Sequence, residues 1–356
     1  MNEYFYYDCN NGVVETPEER ASKRKNMKGL FSRVFLALFI YTMIAQLLPV
    51  GLYVAASYLM PREKYLELAN SYTVSFLVSM AVQYVIAFPV LLLSLIGVKK
   101  VEGKEKSKLD FKELLLFAFI AWLLMYVGSL IGTFLNGIFG TFIGQTPENG
   151  VETLVNELPT YLTVIFAVII GPIVEEIIFR KLLIDRLGVY GDRFAIIFSS
   201  VAFGLMHANL YQFFYATLLG LLLGFVYTRT RDIKYTVLLH IFMNFMGSVL
   251  ILPVQEAANE FYSVLELASA GMPFDVIALL TSGIIVLVYS NLQYGMVVGG
   301  GFALWHYYKQ KKLTVSNDKE IYLPDNEIIK GGIVNVGAIL FLTVSLIFTA
   351  INLFVS

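Results

Sequence analysis

The stretch Gly171-Pro-Ile-Val-Glu-Glu-Ile-Ile-Phe-Arg180 sets two adjacent carboxylates, Glu175 and Glu176, into a run otherwise built of apolar side chains. The residues just before it, Tyr161 to Ile170, carry no charge and read as the first part of a membrane span. A charged side chain near the bilayer centre costs roughly 2.5–3.5 kcal/mol on insertion scales. Two side by side must therefore be paired, protonated or placed in a wet cavity. An ionisable residue at that depth marks a functional site by default, so the question is which partners the rest of the chain supplies.

Composition places that stretch in a membrane protein. The chain is 57% hydrophobic and only 15% charged, against about 25% charged for soluble domains. Its mean hydropathy is +0.69, and apolar runs of about 20 residues recur along it. A net charge of −1 gives no reason to expect a nucleic-acid partner. One cysteine, Cys9, excludes an intrachain disulfide or a cysteine-based metal site and reads as an incidental cytosolic thiol. The first 28 residues lack the apolar core of a signal peptide, so the first span is expected to be retained. The C-terminal residues have no prenylation cysteine, so the chain is not expected to be a lipidated substrate itself.

Taken in order, the chain divides into a cytosolic tail (1–28), N-terminal transmembrane helices (29–145), a core (146–252) and C-terminal transmembrane helices (253–356). Nine spans are expected, over 31–59, 73–98, 114–139, 159–187, 194–208, 213–227, 235–252, 276–308 and 332–354. Pro159 suits a helix start, and Pro172 should kink span four just before the glutamates. A short interfacial helix is expected over 152–158 and an amphipathic one within 253–275. The Gly299-Gly-Gly301 run is expected to end or bend span eight. Gly295 and Gly299 form a small-xxx-small pair for a close helix contact. Lys and Arg crowd the segments before span one and after spans two, four, six and eight, and are scarce after the others. This alternation predicts a cytosolic N-terminus and an outside C-terminus in a multi-pass protein of the cell membrane. The expected fold is all-α and polytopic, with a site embedded in the membrane.

Spans five and seven each bring a histidine, in Phe203-Gly-Leu-Met-His207 and His240-Ile-Phe-Met-Asn244. Residues four apart share a helix face, so His240 projects with Asn244 and Glu176 can pair with Arg180. Glu175 and Glu176 stand about 100° apart on the helix and so face different neighbours. Each residue also has a structural reading. Glu176 with Arg180 reads as an ion pair, His207 as an interhelical hydrogen-bonder, Asn244 as helix glue and Phe203 as packing. His306 beside Trp305 reads as interfacial. It is the joint occurrence of intramembrane polar groups on three nearby spans that favours a site. Counting rise from the loops puts Glu175 and His207 near mid-depth and His240 nearer the cytosolic face. The site is expected in the cytosolic half, reached by a cavity from that side.

The motifs carry a resemblance. Glu175-Glu-Ile-Ile-Phe-Arg180 resembles the EExxxR motif of the CAAX-protease and bacteriocin-processing (CPBP) intramembrane endopeptidases. Phe203 to His207 matches that family's FxxxH motif and His240 to Asn244 its HxxxN motif, in the same order, and the resemblance covers about residues 150–250. It implies peptide hydrolysis by water that Glu175 activates as general base, with His207 holding that water. His240 and Asn244 would donate to the oxyanion, and Glu176, Arg180 and Phe203 would support them. The substrate would be a peptide precursor, a bacteriocin or signal peptide, or a membrane protein. No cofactor is favoured. A zinc-dependent variant would use Glu175, His207 and His240 as ligands, although the sequence lacks HExxH. The competing readings are a non-catalytic scaffold or regulator of the same fold and a proton-coupled transporter, the latter without any inverted repeat to support it.

Overall fold

In lipid every backbone polar group must find its partner within the segment, and this chain meets that demand with helices throughout. The computed structural model describes residues 6–8, 13–101, 105–144, 150–315 and 319–354; Cys9 lies outside the described residues. The order is α1 (Pro17–Leu59), α2 (Arg62–Ala69), α3 (Tyr72–Ser94), α4 (Phe111–Ile143), α5 (Gly150–Glu157), α6 (Thr160–Tyr190) and α7 (Asp192–Met206). Then come α8 (Leu210–Thr230), α9 (Ile233–Ser248), α10 (Leu252–Ser269), α11 (Val276–Lys309), α12 (Asp325–Ile333) and α13 (Val336–Phe354). A short antiparallel pair, β1 (Tyr6–Asp8) with β2 (Val13–Glu15), precedes them.

Polar caps set the helix starts. Thr16 and Glu19 form a reciprocal capping box at α1 with Pro17 in the first turn. Asp110 caps α4, Asn209 caps α8 and Asp232 caps α9. Because of the Thr16 cap, α1 begins well before the apolar run expected over 31–59, and Met27 in this added length is buried in the core. There Arg20 and Arg24 grip Glu327 of α12 at 2.6 and 2.5 Å.

α8 is the central strut. On one side Gly128 of α4 lets the backbones touch, since a Cβ there would sit 2.4 Å from the Tyr215 Cα. On the other, a Cβ on Gly204 of α7 would sit 2.7 Å from the Phe213 carbonyl oxygen. The buried residues fall into two clusters, one around α1, α6 and α7 and the other around α4, α8, α9 and α11. Phe203 belongs to the first and Met243 to the second, so the polar motif residues stand at their seam.

One end of the bundle is basic and cross-tied. Arg229 pairs with Glu113 at 2.7 Å, Arg231 with Asp192 at 2.5 Å, and the Tyr227 hydroxyl donates to Asp185 at 2.8 Å. Arg33 donates to the carbonyls of Ser94 and Ile96. Among the described residues only Arg62, Lys64 and the buried Arg180 stand away from this end.

Several expectations change. Among the described residues eight helical stretches are long and apolar enough to cross a membrane, not nine. The expected fifth span is α7, whose 15 residues reach only about 22 Å. α11 runs unbroken through Gly299-Gly-Gly301. The closest approach is made at Gly300, where a Cβ would meet the Phe119 carbonyl oxygen at 2.4 Å; a Cβ on Gly299 would meet the Phe119 ring at 3.1 Å, and one on Gly295 would meet nothing within 4 Å. The helices expected near 152–158 and within 253–275 are present as α5 and α10.

Candidate active site

α6 is not a regular helix, and its irregularity positions the glutamates. Residues 163–170 and 177–184 are wound in the wider π geometry, with an α-helical segment, Gly171–Glu176, between them. Such π turns are characteristic of functional sites. The Gly171 N–H bonds to the Phe166 carbonyl, five residues back. The next bond in that series would run from residue 172 to Ala167, but residue 172 is proline and has no N–H. The orphaned Ala167 carbonyl is met from outside, by Nδ2 of Asn244 at 2.8 Å. Pro172 was expected to kink α6. Its effect here is to free an acceptor that ties α6 to α9.

The two adjacent glutamates go different ways. Glu176 is fully buried. Its Oε2 lies 3.1 Å from Nε of Arg180 and its Oε1 lies 3.0 Å from Nδ1 of His240. The Arg180 guanidinium, also fully buried, lies 5.3 Å from the Phe203 ring centroid, within cation–π range. Phe203 in turn meets His207 and His240 edge-on, with centroids at 5.1 and 5.6 Å. One ring thus braces the arginine and both histidines. Glu175 is partly exposed and lines a cavity of about 350 Å³, with its Oε2 3.5 Å from Nε2 of His240. His240 therefore bridges the two carboxylates, one at each ring nitrogen.

His207, His240 and Asn244 line the same cavity as Glu175. His207 is not inside a helix as expected but caps the C-terminal end of α7. The stagger of helix starts reconciles the depths. His240 is about 10 Å along α9 from the basic end, and Glu175 about 16 Å along α6 from Arg186. The predicted site residues are brought together, on three helices; their chemical roles rest on the proposal below.

Beyond the motif residues the cavity lining includes Phe76 and Met80 of α3, Gly150 and Leu154 of α5, Gln212 of α8 and Ser248 of α9, with Met125, Leu219 and Met243 at mid-helix positions.

Sequence reasoning also missed residues. Gln83 and Tyr84 line the cavity from α3, where residues 82–87 form another π turn. The Tyr84 ring stacks on Phe166 with centroids at 6.4 Å and planes 2° apart. Tyr215 enters from α8. The available signal was the polar pair Gln83-Tyr84 inside an otherwise apolar run.

Among the described residues no three His, Cys, Asp or Glu side chains are grouped so as to hold an ion.

Comparisons with known proteins agree with the motif reading. Residues 157–246 match the family model described as type II CAAX prenyl endopeptidase Rce1-like. The chain is 32% identical over 155 residues to a Bacillus subtilis (strain 168) protein described as "Putative membrane peptidase YdiL". That match covers 41% of this chain and 63% of the relative, so the chain spans less than two thirds of the relative's length. No solved structure matches the chain significantly.

Proposed function

We propose, since residues 157–246 match the model of the type II CAAX prenyl endopeptidase Rce1-like family, that this multi-pass membrane protein is an intramembrane endopeptidase in which Glu175 activates water. The observation that carries the reading is the division of labour between two neighbouring carboxylates. One is sealed against an arginine and the other opens on the cavity.

Charge neutrality supports the assignment. Two carboxylates and one guanidinium leave a net negative charge, and a buried cluster favours neutrality. His240 stands between the two carboxylates, with Nδ1 3.0 Å from Glu176 and Nε2 facing Glu175 at 3.5 Å. Glu176 and Arg180 are positioning residues in this scheme, because they act through His240 and Phe203.

Hydrolysis proceeds as follows. Glu175, as carboxylate, takes a proton from water while the water oxygen bonds to the scissile carbonyl carbon. The carbonyl oxygen becomes an oxyanion. The ring N–H of His207 and the second Nδ2 hydrogen of Asn244, the one not given to Ala167, donate to it. Collapse breaks the C–N bond, and the proton on Glu175 passes to the leaving nitrogen. No step requires a metal. The substrate is a peptide precursor, a bacteriocin or signal peptide, or a membrane-protein segment.

The test is cleavage of a peptide library by purified protein in proteoliposomes. Wild-type cleavage should survive exhaustive chelation, whereas Glu175→Gln and His207→Ala should each lose about 10²–10⁴-fold in rate. Metal-dependent loss of wild-type activity would contradict the metal-free scheme. Cleavage unaffected by both substitutions would overturn the Glu175 scheme, and a wild-type protein that cleaves nothing in the library would favour the scaffold reading.

A further inference from the structure

We propose, resting on the peptidase reading above, that a second cavity beside the one holding Glu175 is a selection pocket for a neutral aromatic side chain of the peptide substrate. It lies between α4, α8, α9 and α11 and has a volume of about 300 Å³. That is at the small end for ligand pockets, with room for one large side chain but not for a length of peptide. Three residues, Met125, Tyr215 and Gly247, line both cavities. Met125 and Tyr215 give their shared boundary side chains, whereas Gly247 gives it none. A Cβ on Gly247 would meet nothing within 4 Å, so the boundary is open space at that point. Gly247 follows Asn244 by three residues on α9 and shares its face. A peptide held against Glu175 and Asn244 therefore lies where one of its side chains can pass Gly247.

The walls define that side chain. Trp122 and Tyr126 of α4 and Tyr211 and Tyr215 of α8 supply four rings. Rings favour edge-on or offset contact with another ring, each such pair adding roughly two- to tenfold in affinity beyond the area it buries. The Tyr126 ring is itself braced by Tyr294 of α11, with centroids 6.4 Å apart. Among the described residues no Asp, Glu, Lys, Arg or His lines this cavity, so a charged side chain would stand there unpaired. The polar groups present, Ser129, Thr133 and Gln293, are neutral. Trp122 is nine-tenths buried, and its indole N–H has no hydrogen-bond partner among the described residues. That group can only donate, so it favours an occupant that brings an acceptor, such as the tyrosine hydroxyl. A lipid chain would fill the space and leave these polar groups unmet.

Binding tests this apart from catalysis. The chain has two tryptophans, Trp122 and Trp305, and Trp305 is exposed beside Lys309. In a Trp305→Phe, Glu175→Gln protein Trp122 is the sole indole and the cleavage step is disabled. Alanine–leucine peptides carrying para-bromophenylalanine at each position in turn should be added to this protein in proteoliposomes. Bromine quenches indole fluorescence on close approach, so quenching of Trp122 should be saturable with the bromine at one position and weak at the others. Gly247→Phe, which fills the open boundary, should abolish it. In wild-type cleavage of the corresponding unbrominated peptides, tyrosine or phenylalanine at that position should be preferred over alanine about tenfold, chiefly through KM, and Gly247→Phe should remove the preference. Quenching that is absent or equal at every position would overturn the pocket. Quenching by brominated phosphatidylcholine that the peptides do not relieve would also overturn it and assign the cavity to lipid. Saturable peptide quenching in a protein whose wild type cleaves nothing would refute the peptidase reading alone, and cleavage without an aromatic preference would refute the pocket alone.

Discussion

Glu176 is the residue on which the geometry places the greatest structural demand. It has no exposure and two charged or polar partners, Arg180 and His240. Removing one member of a buried ion pair leaves the other uncompensated, at a cost of about 3–5 kcal/mol. Glu176→Gln should therefore lower the thermal midpoint of the detergent-solubilised protein markedly, and circular dichroism melts would show it. Tyr84 is a different case. Its hydroxyl is near Gly171, one turn before Glu175, and its ring stacks on Phe166. Tyr84→Phe keeps the stack and removes one hydrogen-bonding group from the cavity. It should raise KM a few-fold and leave the melting point unchanged. A loss of stability equal to that of Tyr84→Ala would show that the hydroxyl is structural.

The motif residues were legible because a charge or an imidazole in an apolar run is conspicuous and its i,i+4 partners follow from helix geometry. Gln83 and Tyr84 were not, because neutral polar groups are common in spans and nothing local says that α3 faces α6.

At the scale of the element, α6 shows what periodicity cannot. A standard 3.6-residue repeat says where Glu175 and Glu176 point relative to each other but not that π turns precede and follow them. Nor does it say that Pro172 leaves the Ala167 carbonyl open to Asn244. That tie makes a specific prediction. Asn244→Ala should cost about 0.5–1.5 kcal/mol by removing this part-buried hydrogen bond. In a Pro172→Ala background, where residue 172 supplies its own N–H, the same change should cost much less. A double-mutant cycle on chemical unfolding reads the coupling; additive effects would mean that the proline and the asparagine act separately. The shortness of α7 was equally hidden. The apolar run over 194–208 is followed at once by another, and what ends α7 is the turn at His207 and Ala208, where Ala208 has a φ of 48°. That turn presents His207 to the cavity at a helix terminus.

For the whole molecule, the sequence gives away class and orientation more readily than the assembly of the bundle. Apolar runs and loop charges announce a polytopic helical protein. The choice of α8 as central strut depends on Gly128 and Gly204 meeting backbones far away in sequence. The clasp between the two ends of the chain is likewise long-range. Burial alone would raise the Glu327 carboxyl, but its hydrogen bonds from Arg24 and Arg20 outweigh that and hold it below its ordinary value of 4.5. A carboxylate held low in the folded state adds stability that is complete above the unfolded value and fades as pH falls through the folded one. Thermal stability of the wild type should therefore drop more steeply below about pH 4.5 than that of Glu327→Gln, which lacks the titrating group. Parallel pH profiles for the two proteins would show that the clasp contributes nothing.

The central claim is that Glu175 performs the chemistry and Glu176 holds the fold, though they are neighbours in sequence. It is tested most directly by measuring peptide cleavage and thermal midpoint together on reconstituted Glu175→Gln and Glu176→Gln. Glu175→Gln should keep the wild-type midpoint and lose about 10²–10⁴-fold in rate, while Glu176→Gln should lose stability first. A Glu175→Gln protein that cleaves at the wild-type rate would contradict the account.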